Sequence, residues 1–291
     1  MKIVERKYID IQKWNKLVQE TKGASFFSYT WYLDAVAENW CVLVKDDYSS
    51  GIALPYVVNL GVKTLYTPIF ARFYELLGKF DGIDFKKPIK NTFQYYNFAV
   101  KQPILGEGYE MSEFQVITKD TEQQFSSQAK RSLKKALKNG LEIQFSSEYN
   151  SVISIVSKEL NNKFEGINEK SLAALGKLFE NAKNENCTRV FHFGKEGGIV
   201  CLEKKGQLLY LKGTVSPDFK KNGGMYMALN SAIQYAKGKG LDFDFGGSQI
   251  DGVKRFNHNL GGKDEIYYRY LKEDYPFWYR LLKKVKRRLK K

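Results

Sequence analysis

The chain has 291 residues, 43% of them hydrophobic and 15% aromatic, and a formal net charge of +15. That apolar content excludes a disordered chain, and the length suits one large domain or two of ordinary size. The charge calls for an anionic partner and leaves three classes open: nucleic acid, anionic lipid or a phosphate-bearing substrate. Part of it is concentrated in the last residues, Arg280 to Lys291.

The three cysteines, Cys41, Cys187 and Cys201, sit in apolar stretches without metal-like spacing and read as buried thiols. With His192 and His258 the only histidines, no metal site is expected. The N-terminal Met1-Lys2-Ile3-Val4-Glu5-Arg6-Lys7 is charged at once, unlike a signal peptide, and no apolar run is long enough to span a bilayer. A cytoplasmic chain is expected, placed at most against the inner face of a membrane.

In chain order, a strand is predicted over Lys2 to Tyr8 and a helix over Ile11 to Thr21. A second helix is predicted over Phe26 to Ala37, capped by Ser28 or Thr30. Alternating apolar residues give strands at Trp40 to Lys45, Gly51 to Asn59 and Lys63 to Leu65. Ile69 to Lys79 reads as a helix, and Asn91 to Val100 and Ser112 to Thr118 as strands. The polar stretch Thr118 to Gln128 reads as a linker, which sets the expected domains at 1–125 and 126–291.

The second half begins with a basic helix, Gln128 to Asn139, stopped by Asn139-Gly140, and a strand at Leu141 to Phe145. Helices come next at Val152 to Lys163 and Ser171 to Asn184. Strands are expected at Arg189 to Phe193, Gly197 to Lys204 and Gln207 to Thr214. A helix over Met225 to Lys237 and strands at Asp242 to Phe245 and Ile266 to Leu271 complete the body. Both halves read as helices, antiparallel strands, a helix and further strands: two similar α+β domains with mixed sheets.

The informative stretch is Leu208 to Leu271. Strand Leu208 to Thr214 leads through Asp218-Phe219-Lys220-Lys221-Asn222-Gly223-Gly224 into the helix at Met225. Glycines before a helix let backbone amides approach a phosphate, and Lys220 and Lys221 add charge; taken alone, a Gly-Gly at a helix start is more often plain turn chemistry. Then come Asp244-Phe245-Gly246-Gly247-Ser248, Val253-Lys254-Arg255-Phe256, Leu260-Gly261-Gly262 and Tyr267-Tyr268-Arg269-Tyr270.

This order resembles the C-terminal half of FemAB-like proteins in the GNAT superfamily, with the bacterial GNAT-like acetyltransferase branch most similar. Phe26 to Tyr32 resembles the family's entry helix, and Gln128 to Ile143 the helix and strand that open its second domain. The resemblance implies two tandem GNAT-like domains with a cleft beside the second. It implies transfer of an acyl group from acetyl-coenzyme A, another acyl-coenzyme A or an aminoacyl-tRNA to an amine. The acceptor would be small, sugar-linked or lipid-linked, in cell-envelope or surface-polysaccharide synthesis. Lys220, Lys221, Asn222, Gly223, Gly224 and Met225 fall where such proteins hold the donor's pyrophosphate, without the usual Arg/Gln-x-x-Gly-x-Gly/Ala spacing. Asn257 stands where peptidoglycan-building members carry lysine after phenylalanine.

Acyl transfer needs a base for the amine proton and a donor for the leaving group. Asp244 at its strand end is a candidate base, or a carboxylate bracing the glycine turn. Ser248 would orient substrate or bond the turn, and His258 would accept a proton or sit in an exposed polar loop. Tyr267 would donate to the leaving thiolate. Lys254, Arg255, Phe256 and Tyr268 are candidates for holding the acceptor. Finally, Pro276 to Lys291 is a basic amphipathic helix with Trp278, Leu281, Leu282, Val285 and Leu289 on one face, suited to an anionic membrane surface or to packing on its own domain. A non-enzymatic GNAT-shaped protein binding nucleic acid or membrane is the remaining reading.

Overall fold

The computed structural model describes residues 1–163, 169–204, 206–247 and 250–288. They form two compact units, 1–111 with 267–291 and 112–266.

In the first unit, β1 (Lys2–Glu5) leads to α1 (Ile11–Glu20), whose first turn is capped by the Asp10 carboxylate accepting from the Lys13 amide. A 3-10 turn, Phe26–Ser28, and α2 (Thr30–Val36) come next. Ser25 caps the turn, and α2 starts at Tyr29 without a side-chain cap, so neither Ser28 nor Thr30 plays the role expected of it. β2 (Asn39–Val44), β3 (Ser50–Asn59) and β4 (Val62–Tyr66) make an antiparallel meander. β5 (Leu77–Gly78) pairs with the start of β3, and α3 (Lys86–Thr92) precedes β6 (Tyr95–Val100), which runs parallel to β4.

The helix expected over Ile69 to Lys79 does not form. Its apolar spacing is helical, but its backbone bonds elsewhere: the Tyr74 amide donates to the Ala99 carbonyl (3.0 Å) and the Lys101 amide to the Tyr74 carbonyl (2.8 Å). Phe70 takes φ of +72°, outside the helical region, and its carbonyl accepts from the Tyr32 hydroxyl.

The second unit runs through β7 (Tyr109–Ile117), whose last residues belong to it, α4 (Ser127–Lys138), β8 (Gln144–Ser146), α5 (Asn150–Lys163) and α6 (Glu169–Asn184). β9 (Thr188–His192), β10 (Gly197–Lys204) and β11 (Gln207–Val215) form a second antiparallel meander. A short helix α7 (Pro217–Lys221) and α8 (Gly224–Gly238) lead to β12 (Asp242–Asp244), parallel to β11. The sheet order is β7-β12-β11-β10-β9-β8. α8 packs on β10, β11 and β12 with α4 beside it, burying Ala228, Leu229, Ala232 and Ile233 against Ile199, Cys201 and Leu208. α5 packs on β10 and β11, and alternation along the strands gives Val200 and Leu202 to this other face. Cys41, Cys187 and Cys201 are buried and free, and burial raises their thiol pKa values, to about 12 for Cys41 and Cys187.

After β12 comes α9 (Asp251–Asn259), so the expected loop around His258 is helical, and then β13 (Lys263–Lys272) and α10 (Phe277–Arg288). The residues of β13 from Tyr268 onward pair antiparallel with β6, placing 267–291 in the first unit. The division therefore falls at 111/112 and 266/267, where the linker had set it at 125/126. The polar stretch that suggested a linker is anchored inside the second unit: the Ser126 amide donates to the Asn259 carbonyl.

Candidate active site in the second unit

β11 and β12 stay paired only from Gln207 to Leu209, opposite Asp242 to Asp244. Beyond that point β11 continues to Val215 on β10, while the chain after Asp244 leaves it: the Phe245 amide donates to the Gln115 carbonyl of β7. The separation opens a wedge-shaped cleft of about 500 Å³. One wall is Tyr210 to Thr214 of β11, the other Phe245 to Gly247 and α9. α8 contributes Met225 and Leu229, α7 contributes Lys220, and Val156 of α5 completes the lining. The lining thus combines apolar side chains with the cations Lys212 and Lys220.

Gly246 makes the divergence possible. Its φ is +79°, and a Cβ there would sit 2.4 Å from the Tyr210 carbonyl oxygen. Only glycine lets the departing chain turn this close to β11.

Asp244 is buried and does not line the cleft; its carboxylate accepts from the Gly246 amide (2.8 Å) and Gln207 Nε2 (3.3 Å). It braces the turn that opens the wedge. Ser248 lies outside the described residues.

Of the residues expected at the donor's phosphates, Lys220 and Met225 line the cleft. Lys221 and Asn222 turn toward α4: the Lys221 carbonyl accepts from Lys135 Nζ (2.7 Å), and Asn222 Oδ1 from Asn139 Nδ2 (3.5 Å). Gly223 has φ of +85°, and a Cβ would meet the Ser132 carbonyl at 2.3 Å, so close packing of α8 on α4 accounts for it. Gly224 is buried against Phe219. The stretch before Gly223, read as a loop, is the helix α7.

On α9, Phe256 lines the cleft and packs on Tyr226 with ring centroids 4.4 Å apart. Arg255 is exposed on the same helix and does not reach the cleft. Asn257, also in the lining, is almost wholly buried and donates to Gln115 Oε1 (3.0 Å), whose Nε2 donates to Asp264 (2.7 Å). Asp264 also bonds His258 Nε2 (2.9 Å). Burial alone would raise its carboxyl, but the bonds from Gln115 and His258 hold it below the ordinary range. Lys254 pairs with Glu113 and, at 4.0 Å, Asp264; the bond to Glu113 raises its pKa. His258 and Lys254 therefore belong, with Glu113 and Asp264, to the polar network that Gln115 links to Asn257.

Tyr267 and Tyr268 are part of the first unit, where Tyr267 is buried against Phe73 and Tyr268 meets Tyr109 edge to face. Sequence reasoning missed Tyr210, Lys212 and Gln115, and weighed Asn257 only as a replacement for the family's lysine. Lys212 within Leu208-Leu209-Tyr210-Leu211-Lys212, and Gln115 between Phe114 and Val116, are polar interruptions of apolar strands, which is a usable signal. Among the described residues no group of His, Cys, Asp or Glu is placed to hold a metal ion, and no helix is long and apolar enough to cross a membrane.

No protein-family model matches the chain, and no curated protein does. Solved structures do. FemX aligns over 94% of this chain and 98% of its own, with a TM-score of 0.64 at 11% identity. The chain has a tandem GNAT-like fold. L-PGS from Bacillus licheniformis aligns over 95% of this chain and 96% of its own (TM-score 0.56, 12% identity). A tandem GNAT protein from the clavulanic acid biosynthesis pathway aligns over 94% and 99% (TM-score 0.50, 8% identity). At these identities the GNAT likeness is one of fold.

Proposed function

We propose that the chain is an N-acyltransferase that takes its acyl group from an acyl-coenzyme A thioester bound in the wedge between β11 and β12. The wedge carries this reading. Among the described residues β12 is the strand paired with β11 on that side, and the pairing ends at Leu209 opposite Asp244, so an extended amide-bearing arm can lie along Tyr210 to Thr214 as a strand would. The apolar lining from Met225, Leu229 and Phe256 suits a thioester, and Lys212 and Lys220 suit the donor's phosphates.

The acceptor amine attacks the thioester carbonyl, a C–N bond forms, the C–S bond breaks, and the thiolate leaves with the proton lost by the amine. The cleft contributes mainly by holding both partners in line and excluding water. Asp244 serves by fixing the turn at Gly246, and Asn257, one of the polar residues of the lining, orients an acyl oxygen or an amine. A lipid- or glycan-linked amine is the proposed acceptor, in envelope or surface-polysaccharide synthesis.

Aminoacyl-tRNA is the second donor. The exposed Lys130, Arg131, Lys134, Lys135 and Lys138 of α4 favour it, and Asn257 in place of the family's lysine disfavours it. Thermal shift with acetyl-coenzyme A, longer acyl-coenzyme A species and charged tRNA separates the donors, because whichever binds the folded state raises its melting temperature. Stabilisation by an acyl-coenzyme A, weakened about tenfold in apparent affinity by Lys212→Ala with Lys220→Ala, is the expected result. Stabilisation by charged tRNA alone replaces the first reading with the second.

A further inference from the structure

Among its residues with described side chains, the C-terminal helix α10 is held to the first unit through Tyr279. Tyr279 is buried and stacks on Tyr275 with ring centroids 4.6 Å apart, and Tyr275 packs on Tyr95 at 4.5 Å. Phe277, Trp278, Leu281 and Leu282 are left 74%, 49%, 52% and 46% exposed. Four large apolar side chains on two turns of one helix are not scattered surface residues; they form a continuous apolar face. A helix that had only to pack on its own unit would have turned this face inward.

Charge identifies what covers it. Of the twelve residues of α10, six are Lys or Arg and none is acidic. Pairing this helix with a second copy of itself would bring twelve like charges together, which opposes self-association. An anionic surface accepts both features at once: apolar side chains enter the acyl boundary, while basic ones stay at the headgroups. Beside the aromatic anchor, Lys90 and Lys272 line a recess of about 360 Å³ together with Tyr95 and Asp274. It adds two cations and one carboxylate, a net positive charge, beside Tyr95.

We propose that α10 docks this chain on an anionic lipid bilayer, lying in the interface with Phe277, Trp278, Leu281 and Leu282 inserted. The docking does not depend on which donor the cleft takes, and it supplies a lipid-linked acceptor at the surface where the protein sits.

The chain carries its own probe. Of its four tryptophans, Trp14, Trp31 and Trp40 are buried, so a change in tryptophan emission on adding vesicles reports Trp278. Phosphatidylglycerol vesicles are expected to shift the emission to the blue and to co-sediment the full chain, phosphatidylcholine vesicles to do neither, and added salt to weaken the effect. Replacing Phe277, Trp278 and Leu281 by serine should lower partitioning at least about tenfold, with the melting temperature unchanged. The proposal is overturned if the full chain ignores anionic vesicles, or if the triple variant partitions as well as the parent. A concentration-dependent dimer that the same variant dissociates also overturns it, in favour of a second copy on this face. Donor-induced thermal stabilisation, measured without lipid, tests the transferase reading separately.

Discussion

The two units carry the same strand plan and treat its central gap in opposite ways. In the first, the meander β2-β3-β4 is joined by β6 parallel to β4; in the second, β9-β10-β11 is joined by β12 parallel to β11. After β4 the first unit keeps the seam closed. The Thr67 amide donates to the Asn97 carbonyl, the Ala99 amide to the Thr67 hydroxyl, and Tyr74 bridges to Val100. After Leu209 the second unit lets the strands part, and α8 begins beyond the opening where the first unit has irregular chain. Whether this plan holds a cleft therefore depends on the segment after the meander's third strand. The first unit uses that segment to seal the seam, and the second makes it a helix and a glycine turn.

The largest effect is expected from unlocking the seal. Glu75 is wholly buried and accepts from the Ser25 amide (3.1 Å), the Ser25 hydroxyl (2.8 Å) and the Ser28 hydroxyl (3.0 Å), tying the 67–80 segment to the turn before α2. Glu75→Ala strands three buried donors and should cost about 3–5 kcal/mol in denaturant unfolding. Burial raises the Glu75 pKa to about 7, against the opposing serine bonds and Arg72. Between the ordinary value of 4.5 and about 7 the folded chain holds a proton that the unfolded chain has lost. Stability from this group is thus full below pH 4.5 and lost as pH rises through 7, by up to about 3 kcal/mol. Glu75→Gln should flatten that slope; an unchanged slope would place the titrating group elsewhere.

Much of the second unit's plan was readable because its strands alternate and its helices obey local spacing. The expected helix at Ile69 to Lys79 shows where local spacing stops informing. Ile69, Phe73 and Leu77 fit a helix, but hydrogen bonds to β6 and the buried Glu75 outweigh that propensity, and neither is visible in a short window. The cleft was only partly legible for the same reason. Asn257 looks like one polar residue among Asn257-His258-Asn259, and its burial comes from Gln115, 142 positions away. Gly223 reads as a phosphate turn until Ser132 is placed against it.

Closing the second unit's wedge tests the comparison from the other side. Gly246→Val puts a branched side chain at positive φ within reach of the Tyr210 carbonyl. A loss of about 2–4 kcal/mol is expected, and, under conditions where the variant stays folded, donor stabilisation should disappear. Retained donor binding would show that the ligand lies outside the wedge.

The smallest effect belongs to the seal's own flaw. Tyr74 stacks on Phe98 at 5.6 Å, and its buried hydroxyl has no hydrogen-bond partner among the described residues. Burial raises its pKa well above the ordinary value, so it stays protonated, a donor with nothing to receive it. Removing the oxygen keeps the ring stack and the backbone bridge to Val100 while relieving a desolvated polar group. Tyr74→Phe should therefore stabilise the chain by about 1 kcal/mol, or leave it unchanged if the small void offsets the gain. Almost any other change in this seam should destabilise. A loss above about 1 kcal/mol in the same denaturant titration would mean that the hydroxyl is bonded in solution, and that the first unit is sealed by one more contact than its packing shows.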